Sequence, residues 1–455
     1  MEPYAPYFAS LLLLDLALYL HITASSTSPR KPPPSPSSSP PSSPSLLPRS
    51  TSFPKASTAN PARAFKLLYL TPYTLAVAAD WLQGPYMYTM YHDEKALSEP
   101  VVAALFMTGF ASAAVTAGIV GGVADKRGRR AGCLVHCVAY AVSCLTVLSD
   151  NLIVLFVGRM LGGLSTTLLY SVFETWMISE YRRQELSAYL ELGEMFGLGV
   201  TLSGVTAIIA GVVGEALVRH TGAKTAPFVA AAVCLGVAFC LISQRWTENY
   251  GATPSKEKRV PPTPLRALLT DTRLLTLSLS TLVFEGSMYL FVFFWAPSLI
   301  ASRALSAVTA TSVTPFGLIF TCFMAAMMIG SLGSSTLGSS GRHAGASRLM
   351  TVMAVAATAL LLPVTIRGEA GVFWSFALFE VCVGVYYPTM SRLKSEMVVE
   401  SVRGRAYGLI RMPLNVFVVI ALAVTREGER HRDLAFTVCG GMLLLGFFAV
   451  RRYLE

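Results

Sequence analysis

Seven charged side chains stand inside otherwise apolar runs of this chain: Asp80, Arg159, Glu174, Glu194, Glu285, Glu380 and Arg411. Near the centre of a bilayer each would cost at least about 2.5–3.5 kcal/mol on insertion scales. Two kinds of chemistry justify that cost. A guanidinium is planar and bidentate, so Arg159 and Arg411 suit capture of an oxyanion. A buried carboxyl favours its protonated form, so Asp80, Glu285, Glu380 or Glu174 can carry a coupling proton or gate an arginine by switching partners.

Asp80 lies in A-A-D-W-L-Q-G-P-Y-M-Y (78–88). Counted from Lys66 along a helix, it is about 21 Å deep. Gln83 and Met87 follow it at i+3 and i+7, on roughly one face. Pro85 lacks an N–H and clashes with the Trp81 carbonyl, so the helix bends or opens there. Carbonyls freed at that depth are tolerated only inside protein or against a wet cavity. Gln83, Tyr86 and, much later in the chain, Tyr387 are candidate oxyanion donors beside the two arginines. Structural roles compete with these. Glu174 and Glu194, nearest the helix ends, can merely cap or snorkel, and Arg159 can be the structural partner of Glu380 or another acid.

The elements that must hold these groups are transmembrane helices. The 455 residues are 53% hydrophobic and 14% charged, against roughly 25% charged for an ordinary soluble domain. The apolar residues form runs about 17–25 long, enough to cross about 30 Å of hydrocarbon as helices. Twelve core segments follow one another, approximately 65–91, 100–124, 131–148, 152–178, 191–215, 226–243, 272–300, 311–333, 347–366, 371–392, 404–424 and 434–451. They are called core helices 1 to 12. The polar connection 244–264 separates a half at 64–243 from a half at 265–455. Ahead of them, residues 1–24 contain a further apolar segment, YFASLLLLDLALYLHI, read as an uncleaved membrane anchor with its N-terminus outside. The Pro/Ser tract at 25–63 between the anchor and the core is expected to be disordered and extended. Thirteen spans result.

Lys and Arg concentrate in the loops after helices 2, 4, 6, 8 and 10, in the basic N-terminal linker and at the C-terminus. By the positive-inside rule those segments, both core termini and the central loop face the cytosol. The +10 net charge is thus a topology signal, and no basic clusters alternate with aromatics as nucleic-acid binding would require. The eight cysteines lie in or beside apolar runs with no C-x-x-C pair, and read as small buried hydrophobes, with no metal or cofactor site expected. Enzyme signatures such as G-x-S-x-G, H-E-x-x-H or a P-loop do not occur.

After core helix 2 comes G-G-V-A-D-K-R-G-R-R (121–130). It resembles the cytosolic loop signature of the major facilitator superfamily, G-x-x-x-D-[RK]-x-G-R-[RK], at Gly121, Asp125, Gly128, Arg129 and Arg130. G-R-M-L-G-G in helix 4 matches, more weakly, the R-x-x-x-G pattern of many superfamily antiporters and symporters through Arg159 and Gly163. In the second half, G-S-S-G-R-H-A-G (338–345) is a degenerate echo of the loop signature, and S-E-Y at 179–181 and S-E-M at 395–397 mark equivalent positions. The resemblance implies an all-α polytopic membrane protein with the major facilitator fold, two six-helix repeats plus the extra N-terminal segment. It further implies that helices 1, 4, 7 and 10 line a central cavity. It also implies that Asp125 pairs near the start of helix 11, with Arg405 and the helix N-terminus at 404–407 as partners.

D-W-L-Q-G-P-Y (80–86) narrows the resemblance to the molybdate-anion transporter family. So do G-R-M-L-G-G-L-S-T-T-L-L-Y-S-V-F-E-T-W (158–176), E-N-Y (248–250), F-E-G-S-M-Y-L-F-V-F-F-W-A-P (284–297), P-F-G-L-I-F-T-C-F-M-A-A (315–326), G-V-Y-Y-P-T-M-S (384–391) and R-M-P-L (411–414). The resemblance covers essentially residues 65–451. The implied function is uptake of molybdate, a tetrahedral dianion. Alternating access of the two halves around a midplane site is the expected mechanism, proton coupling is expected because a negative-inside membrane opposes dianion entry, and the plasma membrane is the default location. The residues themselves do not separate molybdate from sulfate, an organic anion or a sugar. A non-transporting receptor or scaffold on the same fold is the remaining class, and it has no use for costly buried charges.

Overall fold

The structure, a computed structural model, describes residues 4–26, 61–251, 271–305, 313–336, 344–397, 403–426 and 428–454; the side chains at 24–26, 335 and 403–412 lie outside the description. Among the described residues all twelve core segments are helical. Helix 1 runs Pro61–Gln83, passes through a tightened 3-10 turn at Gly84–Tyr86, resumes at Met87–Thr89 and widens to a π turn over Met90–Glu94. Helix 2 is Glu99–Ala117 and Val120–Arg127, helix 3 Arg129–Thr146, and helix 4 Leu152–Leu169 and Val172–Arg183. Helices 5 and 6 are Leu192–Thr221 and Ala226–Arg245. The second half comprises Thr272–Ala304, Phe316–Thr336, Ala344–Thr365, Glu369–Met397, Arg403–Ala423 and Glu429–Tyr453, helices 7 to 12.

Of the thirteen spans expected, ten helices among the described residues are long and apolar enough to cross a membrane. Helices 1 and 3 fall short of that measure because they carry polar groups, Asp80 and Gln83 in one and the Arg129-Arg130 pair in the other, while the fully described part of helix 11, Pro413–Ala423, is a shorter apolar stretch. The linker at 27–60 and the loop at 252–270 lie outside the described residues.

Packing repeats between the halves. Helices 2 and 4, 3 and 4, 3 and 6, 1 and 6, and 1 and 5 pack together in the first half; helices 8 and 10, 9 and 10, 9 and 12, 7 and 12, and 7 and 11 do so in the second. Between the halves, helix 5 packs on helix 8 and helix 2 on helix 11, which is again one pair and its repeat image. Small residues let the helix backbones touch, the usual device where lipid offers no hydrophobic drive to association. A Cβ on Gly163 would stand 2.2 Å from the Gly109 carbonyl oxygen, and one on Gly384 2.0 Å from that of Met327. At the junction of the halves a Cβ on Gly317 would stand 2.4 Å from the Gly211 oxygen. Thr321 Oγ1 donates to Ile208 O across the same seam at 3.3 Å.

The N-terminal segment is a helix, Tyr4–Ser26, and it docks on the second half, chiefly on helix 8. Tyr4, Leu11 and Asp15 form its buried stripe, while Leu13, Leu16 and Leu20 are exposed. Tyr4 OH donates to Glu369 Oε1 at 2.5 Å, and Glu369 also accepts from Arg303 at 3.0 Å. Tyr7 stacks on Phe373 at 5.3 Å. Neither carboxyl oxygen of Asp15 has a hydrogen-bond partner among the described residues.

Replacing Gly317 by leucine should drive helix 8 off helix 5, since overpacking a close contact costs about 1–3 kcal/mol. The purified Gly317→Leu protein is expected to melt several degrees below wild type, and Gly317→Ala by less. An unchanged melting temperature for the leucine variant would refute backbone contact at this seam.

Candidate functional site

Asp80 sits where helix 1 faces helices 3 and 4. Its Oδ1 accepts a short hydrogen bond from Tyr140 OH and its Oδ2 accepts from Tyr170 OH at 3.4 Å. Arg159 of helix 4 lies within electrostatic reach of this carboxyl without pairing to it. The guanidinium rests 5.7 Å from the Phe106 ring centroid, with Met87 Sδ 3.3 Å from Nη1 and Tyr91 beside it. A Cβ on Gly109 would stand 2.8 Å from Nη2, so the glycine makes the room. Among the described residues Arg159 Nε has no hydrogen-bond partner and no carboxylate comes within ion-pair distance. The structural alternative, a pair between Arg159 and Glu380, is therefore not formed.

The change of helix type after Gln83 explains how helix 1 presents these groups. Pro85 falls in the tightened turn, where its missing N–H matters least. The π turn then carries Tyr91 to the guanidinium; such widened turns recur at functional sites. Two expected donors point elsewhere. Gln83 is 3% exposed and its Nε2 donates to Ala79 O in the preceding turn at 2.9 Å. Tyr86 OH donates to Glu215 Oε2 at 2.9 Å, and the Gly317 N–H donates to the same oxygen at 3.0 Å. Arg219 Nε holds the other Glu215 oxygen at 2.9 Å. Glu215 thus ties helices 1 and 5 to the start of helix 8.

In the second half Glu285 is buried and accepts from Tyr386 OH at 3.3 Å, while the Tyr386 ring stacks on Phe284 at 3.9 Å. Glu380 is buried with no hydrogen-bond partner among the described residues. Tyr387 is 41% exposed, its hydroxyl 3.4 Å from Met288 Sδ. Glu174 is exposed, and Glu194 pairs with Lys66 of helix 1. The side chain of Arg411 lies outside the described residues, as do those at the start of helix 11 expected to meet Asp125.

Among the described residues Asp125 accepts from Arg129 Nε at 2.9 Å, and Arg129 donates to Thr175 O at 3.1 Å and to Ser179 Oγ. Trp246–Gly251, expected to belong to a free central loop, folds back onto this end of the first half. Gly251 N donates to Asp125 O at 3.0 Å, Trp246 stacks on Trp176 at 3.7 Å, and Glu248 accepts from the N–H groups of Arg130 and Ala131 at 2.7 and 3.0 Å. Glu248 therefore caps helix 3, satisfying N–H groups that no helical carbonyl reaches. Gly128 is required twice over: its φ is +113°, and a Cβ there would meet the Glu248 carboxyl at 2.5 Å. Arg130 Nη2 closes the assembly on Ser243 O at 2.7 Å. Tyr140, Tyr170, Tyr91, Glu215 and Glu248 all escaped the sequence reading. Of these, Glu215, an acid at the edge of an apolar run, and E-N-Y (248–250) carried a usable signal.

Two six-helix repeats around a charged, tyrosine-lined centre define a transporter of the major facilitator type. The family model described as sugar transporters with 12 transmembrane segments matches residues 45–372. Among solved structures, the nucleoside transporter NupG superposes with a TM-score of 0.62 at 14% identity, covering 85% of this chain and 99% of that one. The peptide transporter POT in complex with sulfate superposes at 0.66 and 12% identity, covering 88% and 96%. A curated molybdate-anion transporter of Xenopus tropicalis is 32% identical over 87% of each chain. That of Takifugu rubripes is 30% identical over 98% of this chain and 94% of its own. The chain belongs to the molybdate-anion transporter family of the major facilitator superfamily. It is an integral membrane transporter and not an enzyme.

Removing the Glu248 carboxylate should uncap helix 3. Glu248→Ala is expected to cost about 0.5–2 kcal/mol, the range for a lost helix cap, read as a lower melting temperature, with Glu248→Gln retaining part of the loss-free behaviour. Equal melting of both variants and wild type would remove Glu248 from this role.

Proposed function

We propose that the chain takes up molybdate, or a closely similar tetrahedral oxyanion, by alternating access of its two halves around a site at Arg159. The observation that carries this reading is a guanidinium inside the helix bundle with no carboxylate at its side among the described residues. An interior cation without a partner is costly, and an anionic substrate relieves the cost while bound. The molybdate-anion transporters among the relatives make molybdate the first anion to test. Arg411 and Tyr387, from the second half, complete the anion's surroundings. Gln83 and Tyr86 shape helix 1 and its seam with helix 8 without touching substrate. A neutral sugar, suggested by the family model's description, leaves the unpaired guanidinium without purpose.

Asp80 is the first candidate for the coupling proton, with Glu285 and Glu380 in the second half and the more exposed Glu174 following. A negative-inside membrane opposes entry of a dianion by about 4.6 kcal/mol at 100 mV, and cotransported protons offset that term. In this reading the end bearing the Gly121–Arg130 loop and both core termini face the cytosol, and the plasma membrane is the site of action. The contacts of Glu215, Tyr86 and Gly317 join the halves at the opposite end, which supports an inward-facing state.

Uptake of labelled molybdate by cells deficient in it is the test, at matched surface expression. Arg159→Ala is expected to lower uptake at least tenfold, and Arg159→Lys nearly as much because a lysine lacks the bidentate fork. Asp80→Asn should leave uptake weakly dependent on external pH. Normal uptake by Arg159→Ala sinks the binding assignment, and wild-type uptake indifferent to pH and to proton uncouplers sinks the coupling. Sugar that competes with molybdate, where sulfate does not, would move the substrate class.

A further inference from the structure

The second half contains a cationic cavity at the place the first half fills from within. It measures about 320 Å³ and lies between helices 8, 9 and 10, lined by Ser331, Ser334, Arg348, Thr389 and Arg392. Setting Gly128-Arg129-Arg130 on Gly341-Arg342-His343 in sequence puts Gly338 where Asp125 stands and Gly345 where Gly132 stands. The two matched glycines do the same work. A Cβ on Gly132 would meet Val172 of helix 4 at 2.9 Å, and one on Gly345 would meet Leu393 of helix 10 at 2.8 Å. Setting Ser179-Glu180 on Ser395-Glu396 puts Arg392 where Trp176 stands. In the first half this place holds the Trp176–Trp246 stack and two carboxylates, Asp125 and Glu248. In the second half an arginine replaces the tryptophan, the signature aspartate is absent, and the described residues leave a cavity there.

The geometry points to a binding site for a phosphate-type oxyanion in this cavity, separate from the central Arg159. Arg392 spends its Nε on Glu396 at 2.6 Å and uses no other donor among the described residues. Arg348 reaches Ser334 O at 3.4 Å from the opposite wall; the Ser334 and Thr389 hydroxyls donate to Ser331 O and Val385 O at 2.8 Å each, which leaves Ser331 as the hydroxyl donor of the lining. Two guanidiniums and a hydroxyl donor are groups that recognise a tetrahedral oxyanion. The cavity's volume suits either a free inorganic oxyanion or the phosphate of a lipid headgroup entering between the helix ends.

The test is equilibrium binding to the purified full-length chain carrying Arg159→Gln, which removes the central guanidinium. Two probes are used, inorganic phosphate and dihexanoyl phosphatidic acid. At least one should bind saturably, and the pair Arg348→Gln with Arg392→Gln should weaken it tenfold or more at an unchanged gel-filtration profile. Arg392→Lys, which keeps the charge and loses the fork, should weaken it by less. Phosphate and phosphatidic acid binding alike identifies a free oxyanion site; phosphatidic acid binding at least tenfold tighter identifies the headgroup. If neither probe binds saturably, or the double substitution changes binding by less than twofold, the site is refuted. Should the double variant fail to fold, Arg392→Gln with Ser331→Ala must weaken binding at least threefold, or the proposal falls.

Discussion

Arg159, held in a low-dielectric interior with no carboxylate at its side among the described residues, constrains everything around it. Such a charge is tolerable only where soft and polar neighbours surround it and where a partner arrives. The aromatic face of Phe106 and the thioether of Met87 provide the first. Asp80 would be the obvious partner, yet Tyr140 and Tyr170 hold both of its oxygens toward helices 3 and 4. Those two hydroxyls do more than stabilise a carboxylate: they keep acid and base apart, so neither neutralises the other. The small residues at Gly109 and Gly163 serve the same end, because only backbone-to-backbone approach of helices 2 and 4 leaves the guanidinium its room.

The same separation of roles runs along helix 1. Its first part carries Asp80 toward the centre, its proline turn hands Tyr86 to Glu215, and its π turn hands Tyr91 to Arg159. Three successive helix geometries thus aim three side chains at three different partners, which one uniform helix could not do. Glu215 in turn accepts from groups on both halves, so the contact that closes one end of the molecule includes a shared carboxylate beside the packing of Tyr88 and Phe106 on Phe293. Hydrogen bonds of this kind can be exchanged for water when the halves part, at a net cost of about 0.5–1.5 kcal/mol each. The glycine seam beneath them separates without leaving a large side chain stranded.

Much of this was legible in the sequence because hydropathy and charge placement are local signals. The twelve core helices, the extra N-terminal helix, the 121–130 loop and the buried charged residues all follow from runs and spacings a few residues long. Partners were not legible. Nothing local says that Asp80 meets Tyr140, 60 positions away, since a tyrosine in an apolar run reads as packing until its neighbour is known. Glu248 looked like part of a solvated connection because its segment is polar; its role depends on helix 3 presenting unsatisfied N–H groups at the right distance. Gln83 misled for the opposite reason. An amide in an apolar helix suggests a ligand, yet its own helix's carbonyl satisfies the donor.

The docked segment after helix 6 bears on how the first half can move. Asp125 and Arg129 join the loop to helix 4 through Thr175 and Ser179, and Glu248 and Arg130 join helix 3 to the end of helix 6. Trp246 adds its own bond to Leu68 O of helix 1 at 3.0 Å. Five of the six helices of the first half are therefore pinned to one another at a single end by hydrogen bonds and a stacked tryptophan pair, and helix 5 joins them there through the Glu194–Lys66 ion pair. A body pinned this way tilts as a unit. Helix 5 enters that pinned end by one ion pair, Glu194 with Lys66, and at its other end carries Glu215 and the glycine seam to the second half, so it links the tied end of the first half to the contact with the second.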